Sequence, residues 1–316
     1  MGDKTSIEWT QSGDGTKGAT WNPVTGCSKI SAGCTNCYAE GVDRRFAAQW
    51  GHEFKPWTAA NATHNVRLHE DRLDQPLRWK RPRKIFVNSM ADLFHEQVPY
   101  EFIRRVFQIM GAAHWHTFMI LTKRPERMKE VLNKFLAEKD FATLYGATEP
   151  PFPWPNVWIG VTVEDQKAAD ERIPLLLQTP AVVRFLSMEP LLGAVDLLRN
   201  GDILCRCDGC LDMARQHPDM PGLQRIDWIV LDGESGSNAR PMHPQWARDI
   251  RDQCVAAGVP FFFKQWGEFS PPVLDKYPSD TKRHIFEDGK VVVRVGKKQA
   301  GHLLDGRTWN EYPQIK

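Results

Sequence analysis

The stretch HTFMILTKRPERMKEVLNKFLAEK, residues 116–139, joins an apolar run to an amphipathic helical pattern. The same succession recurs along the chain, in KIFVNSMADLF (84–94) before PYEFIRRVFQIMGAA, in NVWIGVTVED (156–165) before QKAADERIPLLLQ, and in DWIVLDGESG (227–236) before PQWARDIRDQCVAAG. Short buried strands that alternate with helices are typical of a parallel β-sheet.

Three further apolar runs complete the series: ATWNPVTG (19–26), AVVRFLSMEPLL (181–192) and PFFFKQWGEF (260–269). Roughly six to eight strand–helix units on one sheet are typical of a complete or partial (β/α) barrel. We therefore predict the α/β fold class, with a partial (β/α) barrel over residues 1–270 and a cysteine-rich insertion at about 199–225. Beyond it, DGKVVVRVGKKQAGHLLDGRTWNEYP favours a small β-rich appendage over residues 271–316.

Length and charge limit the classes of protein to which the chain can belong. With 316 residues, it is long enough for one large globular domain or two smaller ones. The formal net charge of +2 gives no global field that recruits nucleic acid, although a local basic patch could do so. No stretch approaches the roughly eighteen apolar residues of a membrane span, and the N-terminus has no apolar signal region. We therefore expect a soluble cytoplasmic protein with no membrane partner.

Three cysteines, Cys27, Cys34 and Cys37, lie within TGCSKISAGCTNCYAE, residues 25–40. Such tight clustering favours metal ligation over a disulfide framework. A structural zinc site needs four protein ligands, so a fourth would have to come from afar, for example from His52 or His64. A cubane iron–sulfur cluster can be held by three thiolates, which leaves its fourth iron open to a substrate or cofactor. Both alternatives are consistent with the cysteine spacing.

A second cysteine cluster lies in LCRCDGCLDMARQH, within the insertion. Cys205, Cys207 and Cys210, together with His217, could close a tetrahedral zinc site that holds the insertion together. They could instead bind a second iron–sulfur cluster or carry no metal. The remaining cysteine, Cys254, falls on a helical pattern and is expected to be a buried core thiol.

Polar side chains follow the apolar runs, at the strand ends where a barrel places its active site. They include Asn88, Ser89, Asp92, Lys123, Arg124, Thr162, Glu164, Ser187, Glu189, Glu234 and Lys264. The cations Lys123, Arg124 and Lys264, with Arg240 after the Glu234 strand, could bind a phosphate or carboxylate of a substrate. Trp266 could stack on a base, or it could simply be a large core residue.

Two other features allow competing interpretations. Glu164, Glu189 and Glu234 would suffice for a glycosidase, but the cysteine triplet has no role in that chemistry. The segment RWKRPRK (78–84) has five basic residues and a Trp, so it either contacts nucleic-acid phosphates or forms a solvated turn before the next strand.

The chain resembles the phage Gp37/Gp68 family over most of residues 7–269. The resemblance is carried by the blocks WNPVTGCSKISAGCTNCYAE, SMADLFHE, ILTKRPERM, WIGVTVEDQ, FLSMEPLLG, LDGESGSNARPMHPQW and PFFFKQWGEF. A cysteine triplet after the first strand of a partial barrel also resembles the radical S-adenosylmethionine superfamily. The spacing here is C-x6-C-x2-C, where that superfamily usually has C-x3-C-x2-C.

The resemblance implies a [4Fe-4S] cluster on the first cysteine triplet and S-adenosylmethionine as the second cofactor. By strand position, Asn88, Ser89 and Asp92 would bind the methionine amino group. The ribose and carboxylate region would fall to a second set, Thr162, Glu164, Ser187, Glu189 and Glu234. An electron donor such as flavodoxin or ferredoxin would be the partner, and a nucleotide or a base in nucleic acid the substrate. The alternative is a zinc-dependent nucleic-acid-binding protein without radical chemistry.

Overall fold

The computed structural model describes residues 4–11, 16–138, 152–199, 203–204, 225–272 and 280–314, and the structural statements below concern these residues. The strands are β1 (Ala19–Trp21), β2 (Val24–Thr25), β3 (Arg67–Leu68), β4 (Lys84–Val87), β5 (Thr117–Thr122), β6 (Val157–Thr162), β7 (Val183–Met188), β8 (Trp228–Asp232), β9 (Phe261–Gln265), β10 (Phe269–Ser270), β11 (Arg283–Ile285), β12 (Val291–Arg294), β13 (Leu303–Leu304) and β14 (Arg307–Thr308).

Eight α-helices connect these strands in the described part of the chain. They are α1 (Tyr38–Phe46), α2 (Ala62–Asn65), α3 (Gln75–Arg78), α4 (Tyr100–Ala112), α5 (Pro125–Ala137), α6 (Gln166–Leu177), α7 (Pro244–Ala257) and α8 (Lys297–Ala300). None of the helices in the described ranges is long and apolar enough to cross a membrane.

Seven strands form one sheet in the order β1-β4-β5-β6-β7-β8-β9, with β1 and β9 at its edges. The registered pairs of this sheet are parallel, and helices α4, α5, α6 and α7 follow β4, β5, β6 and β8 respectively. Parallel strands taken in chain order, with helical crossovers between them, have the topology of a partial (β/α) barrel. The predicted fold class is therefore confirmed.

The packing of the sheet follows from its sequence. Strands β6, β7 and β8 are buried at every position, as expected for a parallel sheet that is covered on both faces. In α5, Pro125 lies in the first turn. Backbone N–H groups there have no acceptor within the helix, so the absence of an N–H on proline costs no hydrogen bond. The same helix buries Met128, Val131, Leu132 and Phe135, which share one face at a spacing of three to four residues.

The chain divides into two compact units. Unit 1 comprises residues 1–161 and 178–184, and unit 2 comprises residues 162–177 and 185–316. Unit 2 carries two small antiparallel sheets, β10-β12-β11 and β13-β14. Beyond β14, the carbonyl of Trp309 accepts a hydrogen bond from the Phe263 amide at 2.9 Å, so the C-terminal segment pairs along β9. The domain boundary at residue 270 stays a prediction.

Gly26 lies in the turn that directly precedes the cysteine loop, and a substitution at this position tests how tightly the turn is packed. Its φ is +82°, and a Cβ placed on it would lie 1.8 Å from the carbonyl oxygen of Asn65. Gly51 has a similar φ of +77° but nothing within 4 Å of such a Cβ. We expect Gly51→Ala to lower the free energy of unfolding by about 1 kcal/mol, through backbone strain alone.

Gly26→Ala should lower the free energy of unfolding by about 3 kcal/mol or more, because backbone strain and steric overlap add. Urea unfolding of both variants measures the difference. Equal losses in the two variants would show that the turn at Gly26 can relax around a side chain.

Candidate functional site

The three cysteines of the first cluster lie on one loop of unit 1, between β2 and α1. Cys27 directly follows Gly26, Cys34 ends a short 3-10 turn, and Cys37 immediately precedes the first residue of α1. All three are free thiols and half-buried. A charge on Cys34 would raise the pKa of both Cys27 and Cys37, so the Cys34 thiol lies within electrostatic range of each.

The spacing of these thiols differs from that of ligands to a single ion. Within the described residues, no three His, Cys, Asp or Glu side chains are arranged to hold one metal ion. A zinc ion needs its ligands at about 2.0–2.3 Å from a common point. The histidines that could have completed a zinc site are engaged elsewhere: His52 contacts Asp43 at 2.8 Å, and His64 contacts the Glu53 carbonyl at 3.0 Å. A cubane does not need thiolates that converge on one point, because its three thiolates bind three different irons.

The protonation of the free thiols is set mainly by burial. Burial first, and the charge of Asp92 next, raise the pKa of the Cys27 thiol to about 12, although Arg124 opposes the change. Burial also raises the pKa of Cys37, while the N–H groups of Glu40 and Ala39 in the first turn of α1 oppose it. Both thiols are therefore protonated at neutral pH in the absence of metal, and metal binding would release their protons.

Arg124 connects the cysteine loop to the end of β5. Its Nη2 donates to the Ser28 carbonyl at 3.1 Å and to Ser28 Oγ at 3.0 Å, and its Nη1 lies 3.6 Å from Cys27 Sγ. Its Nε donates to Glu96 at 3.0 Å. The residue is only 6% exposed. The sequence suggested Arg124 as a substrate-binding cation, but the structure commits its guanidinium to the cysteine loop.

Asp92 connects the loop after β4 to the loop after β5. Its two carboxylate oxygens accept hydrogen bonds from Thr122 Oγ1 at 2.7 and 2.9 Å and from the amides of Phe94 and Lys123 at 3.0 Å. Arg124 Nη1 lies a further 3.5 Å from Oδ2. With so many protein donors, this carboxylate fixes the backbone of the site. The predicted contact with a methionine amino group is therefore not favoured at Asp92.

Two asparagines shape the remaining polar positions of unit 1. Asn22, which is not among the predicted site residues, accepts hydrogen bonds through Oδ1 from the Met90 amide at 3.0 Å and from Ser89 Oγ at 3.3 Å. Asn88 has a left-handed φ of 59°, and its Oδ1 accepts from the Val24 amide at 3.2 Å. Its Nδ2 is buried and has no hydrogen-bond partner among the described residues.

Two of the predicted cofactor-binding glutamates in unit 2 form ion pairs with arginines. Glu164 Oε2 lies 2.7 Å from Arg172 Nη1, which also donates to the Thr162 carbonyl at 2.7 Å, and all three residues are buried. Glu234 Oε1 lies 2.6 Å from Arg240 Nη2. Arg240, suggested as a substrate-binding cation, is thus already paired with a carboxylate. The sequence did not indicate this role for Arg172, because a lone Arg in a helical pattern usually lies on the surface.

A second polar group of unit 2 lies at the ends of β7, β8 and β9. Lys264 Nζ is 2.8 Å from both Glu189 Oε2 and Asp232 Oδ2. Ser187 Oγ donates to Glu189 Oε1 at 3.3 Å, and Gln265 Nε2 donates to Asp232 Oδ2 at 3.2 Å. The structure therefore brings Ser187, Glu189 and Lys264 together, as expected for neighbouring strand ends.

The stacking role suggested for Trp266 is not favoured by its placement. The side chain is 5% exposed, and its indole N–H donates to the Leu303 carbonyl at 2.9 Å. Its ring packs edge-on against Phe263, with 5.0 Å between the ring centroids. Trp266 is therefore a core residue of unit 2, the second of the two interpretations that the sequence allowed.

The basic segment RWKRPRK lies at the amino end of β4, whereas the cysteine loop lies beyond the carboxyl end of that strand. Arg78 pairs with Asp74 at 2.5 Å, and the Arg83 guanidinium lies 4.9 Å from the Trp79 ring centroid. Four strand residues separate the two ends by about 13 Å. This placement favours the solvated-turn interpretation over a contact with a substrate held at the cysteines.

The second cysteine cluster, Cys205, Cys207 and Cys210, lies outside the described residues. Its metal content stays a prediction.

A family model described as "Protein of unknown function (DUF5131)" matches residues 4–313. The chain belongs to this family. A comparison with curated proteins finds no match. The resemblance of this DUF5131 member to the phage Gp37/Gp68 family stays a prediction.

Among solved structures, the DUF5131 chain is similar to several of spore photoproduct lyase. A cysteine-to-serine mutant has a TM-score of 0.39 at 11% identity, covering 95% of this chain and 74% of that one. A tyrosine-to-phenylalanine mutant has a TM-score of 0.36 at 11% identity, covering 88% and 68%. The lyase complexed with dinucleoside spore photoproduct gives the same four values as the latter mutant.

Thr122 tests whether the carboxylate of Asp92 holds the site together. Thr122→Val keeps the branched shape but removes the hydroxyl that donates to buried Asp92 and accepts from the Arg124 amide. We expect the free energy of unfolding to fall by about 2 kcal/mol, because a buried acceptor loses its donor. Thr122→Ser keeps the hydroxyl and should lose about 1 kcal/mol or less. Urea unfolding compares them, and a Val variant as stable as the Ser variant would contradict the assignment.

Proposed function

We propose that this protein is an iron–sulfur enzyme of the radical S-adenosylmethionine type, with a [4Fe-4S] cluster held by Cys27, Cys34 and Cys37. The observation that carries the proposal is the arrangement of these free thiols. They are grouped on one loop beyond the carboxyl end of β4, yet not in the geometry of ligands to a single ion. The chemistry that such a cluster supplies when bound is the one-electron reductive cleavage of the sulfonium bond of S-adenosylmethionine.

The charges around the loop suit an anionic metal–thiolate group. Arg124 places its guanidinium against Cys27, and the Lys123 ammonium acts electrostatically on Cys37. Cations next to thiolates favour the deprotonated form that binds metal. Because Arg124 also donates to both oxygens of Ser28, it holds the backbone that carries Cys27.

His95 supports the same loop from the other side of Ser28. Its Nδ1 accepts a hydrogen bond from the Gln97 amide at 3.1 Å, so the proton of the neutral ring lies on Nε2, which donates to Ser28 Oγ at 2.9 Å. Burial, aided by the Arg124 charge, lowers the pKa of His95, so the ring is neutral at physiological pH. We therefore assign His95 a positioning role for the loop.

Asn88 is the side chain of unit 1 that supports cofactor binding most directly. Its amide orientation is fixed by the Val24 amide, which donates to Oδ1 and leaves Nδ2 as a buried donor without a described partner. A donor suits an acceptor atom of the cofactor, such as a carboxylate oxygen, better than the amino group that strand position suggested. A nucleotide, or a base in nucleic acid, stays the proposed substrate, with flavodoxin or ferredoxin as the proposed electron donor.

Replacement of Cys34 by Ala tests the proposal. After anaerobic reconstitution with iron and sulfide and reduction, wild-type protein should form 5′-deoxyadenosine from S-adenosylmethionine. Cys34→Ala should lose the brown chromophore and reduce this product to the level of the buffer blank, because one thiolate ligand is missing. The matched control is Cys254→Ala, which removes a fully buried thiol in α7 and should retain both properties.

Full cleavage activity in Cys34→Ala would rule out the proposed cluster ligands. Zinc in the wild-type protein, with no cleavage under any reductant, would instead favour the alternative, a zinc-dependent nucleic-acid-binding protein.

A further inference from the structure

The polar group at the ends of β7, β8 and β9 contains two hydrogen-bond acceptors that nothing in the described chain satisfies. They are Asp232 Oδ1 and Gln265 Oε1. Asp232 is 6% exposed and Gln265 is 4% exposed. Buried acceptors without donors are rare in folded proteins, because each has lost the hydrogen bonds that water would give it.

The other oxygen of the Asp232 carboxylate is fully engaged. Oδ2 lies 2.8 Å from Lys264 Nζ and 3.2 Å from Gln265 Nε2. Asp232 therefore meets Lys264 and Gln265 through Oδ2 and leaves Oδ1 without a donor, and Gln265 donates through Nε2 and leaves its acceptor Oε1 unused. The two free oxygens belong to residues that are register partners on β8 and β9.

The group is also short of positive charge. Among the described residues, the carboxylates of Asp232 and Glu189 share a single ammonium, that of Lys264. Although burial alone would lower it, the two carboxylates raise the pKa of Lys264, so it stays charged. Burial first, and repulsion by Glu189 next, raise the pKa of Asp232 to about 7 despite the opposing effect of Lys264. One lysine therefore does not fully stabilise both carboxylates.

Solvent reaches the outer part of this group. The side chains of Lys264 and Glu189 retain 14% and 18% exposure, whereas Asp232 lies deeper, at 8%. A ligand group that reaches Asp232 and Gln265 would meet their two unsatisfied oxygens. It would bring hydrogen-bond donors and a positive charge, which are the two things that the group lacks.

We propose that Glu189, Asp232, Lys264 and Gln265 form a binding site for a primary ammonium group of a small-molecule ligand. An ammonium has three N–H donors and no acceptor, and its charge balances the second carboxylate. A hydroxyl would supply a donor but no charge, and an anion would supply neither. The site belongs to unit 2 and contains none of the cysteines proposed to bind the cluster in unit 1, so ligand binding there does not depend on iron.

Methylammonium chloride is the smallest probe of this chemistry, and tetramethylammonium chloride is its control, with the same charge but no N–H donor. Thermal unfolding of the full chain should show a rise in Tm of about 2 °C that saturates with methylammonium concentration and is absent with tetramethylammonium. Two further arms, n-butylammonium and glycine, separate an alkylamine ligand from an amino acid.

Variants locate the effect. Asp232→Asn should abolish the saturable rise, and Gln265→Ala should reduce it at least about threefold. Asp249→Asn, which changes a carboxylate on α7 whose contact is with Gln245 at 2.8 Å, should leave the rise unchanged. If Asp232→Asn fails to fold by circular dichroism, Gln265→Ala carries the test.

The proposal is overturned if methylammonium and tetramethylammonium act alike on the wild-type protein, or if folded Asp232→Asn retains the full rise. Because the experiment needs neither iron nor S-adenosylmethionine, its failure is distinguishable from failure of the proposed enzymatic function.

Discussion

The buried guanidinium of Arg124 fixes the cysteine loop to the end of β5 in unit 1. It bonds to both oxygens of Ser28, approaches Cys27 Sγ, and is neutralised by Asp92 and Glu96. Removing one partner from such a buried ion pair typically destabilises a protein by about 3–5 kcal/mol, because a charge is left without compensation. The position of Cys27 therefore depends on a residue 97 positions later in the chain.

The main strands and helices of the sheet could be predicted because the apolar pattern of a short stretch of sequence determines each of them. The stretch at 116–139 predicts a strand followed by a helix, and the structure has β5 at Thr117–Thr122 and α5 at Pro125–Ala137. The recurrence of that pattern is sufficient to predict a parallel sheet taken in chain order. The proposed metal ligands are equally local, since three cysteines within eleven residues fall on one short segment of the chain.

The roles of the strand-end residues could not be predicted, because they depend on partners that folding brings together. Glu164 follows the end of a strand, as an active-site carboxylate would. Arg172, eight residues later, donates hydrogen bonds to both of its carboxylate oxygens. Trp266 follows the last strand of the sheet, yet Leu303 and Phe263 enclose it. Conversely, Asp232 and Gln265 are candidates for ligand binding because each has a buried oxygen with no hydrogen-bond donor among the described residues. No sequence pattern reveals such a missing donor.

The central claim is that Cys27, Cys34 and Cys37 hold an iron–sulfur cubane and not a zinc ion. Metal and acid-labile sulfide analysis of anaerobically purified protein tests it most directly, in a variant in which Cys205, Cys207 and Cys210 are replaced by Ser so that only the first site contributes. We expect about four irons and four sulfides per chain. About one zinc per chain without sulfide would contradict it.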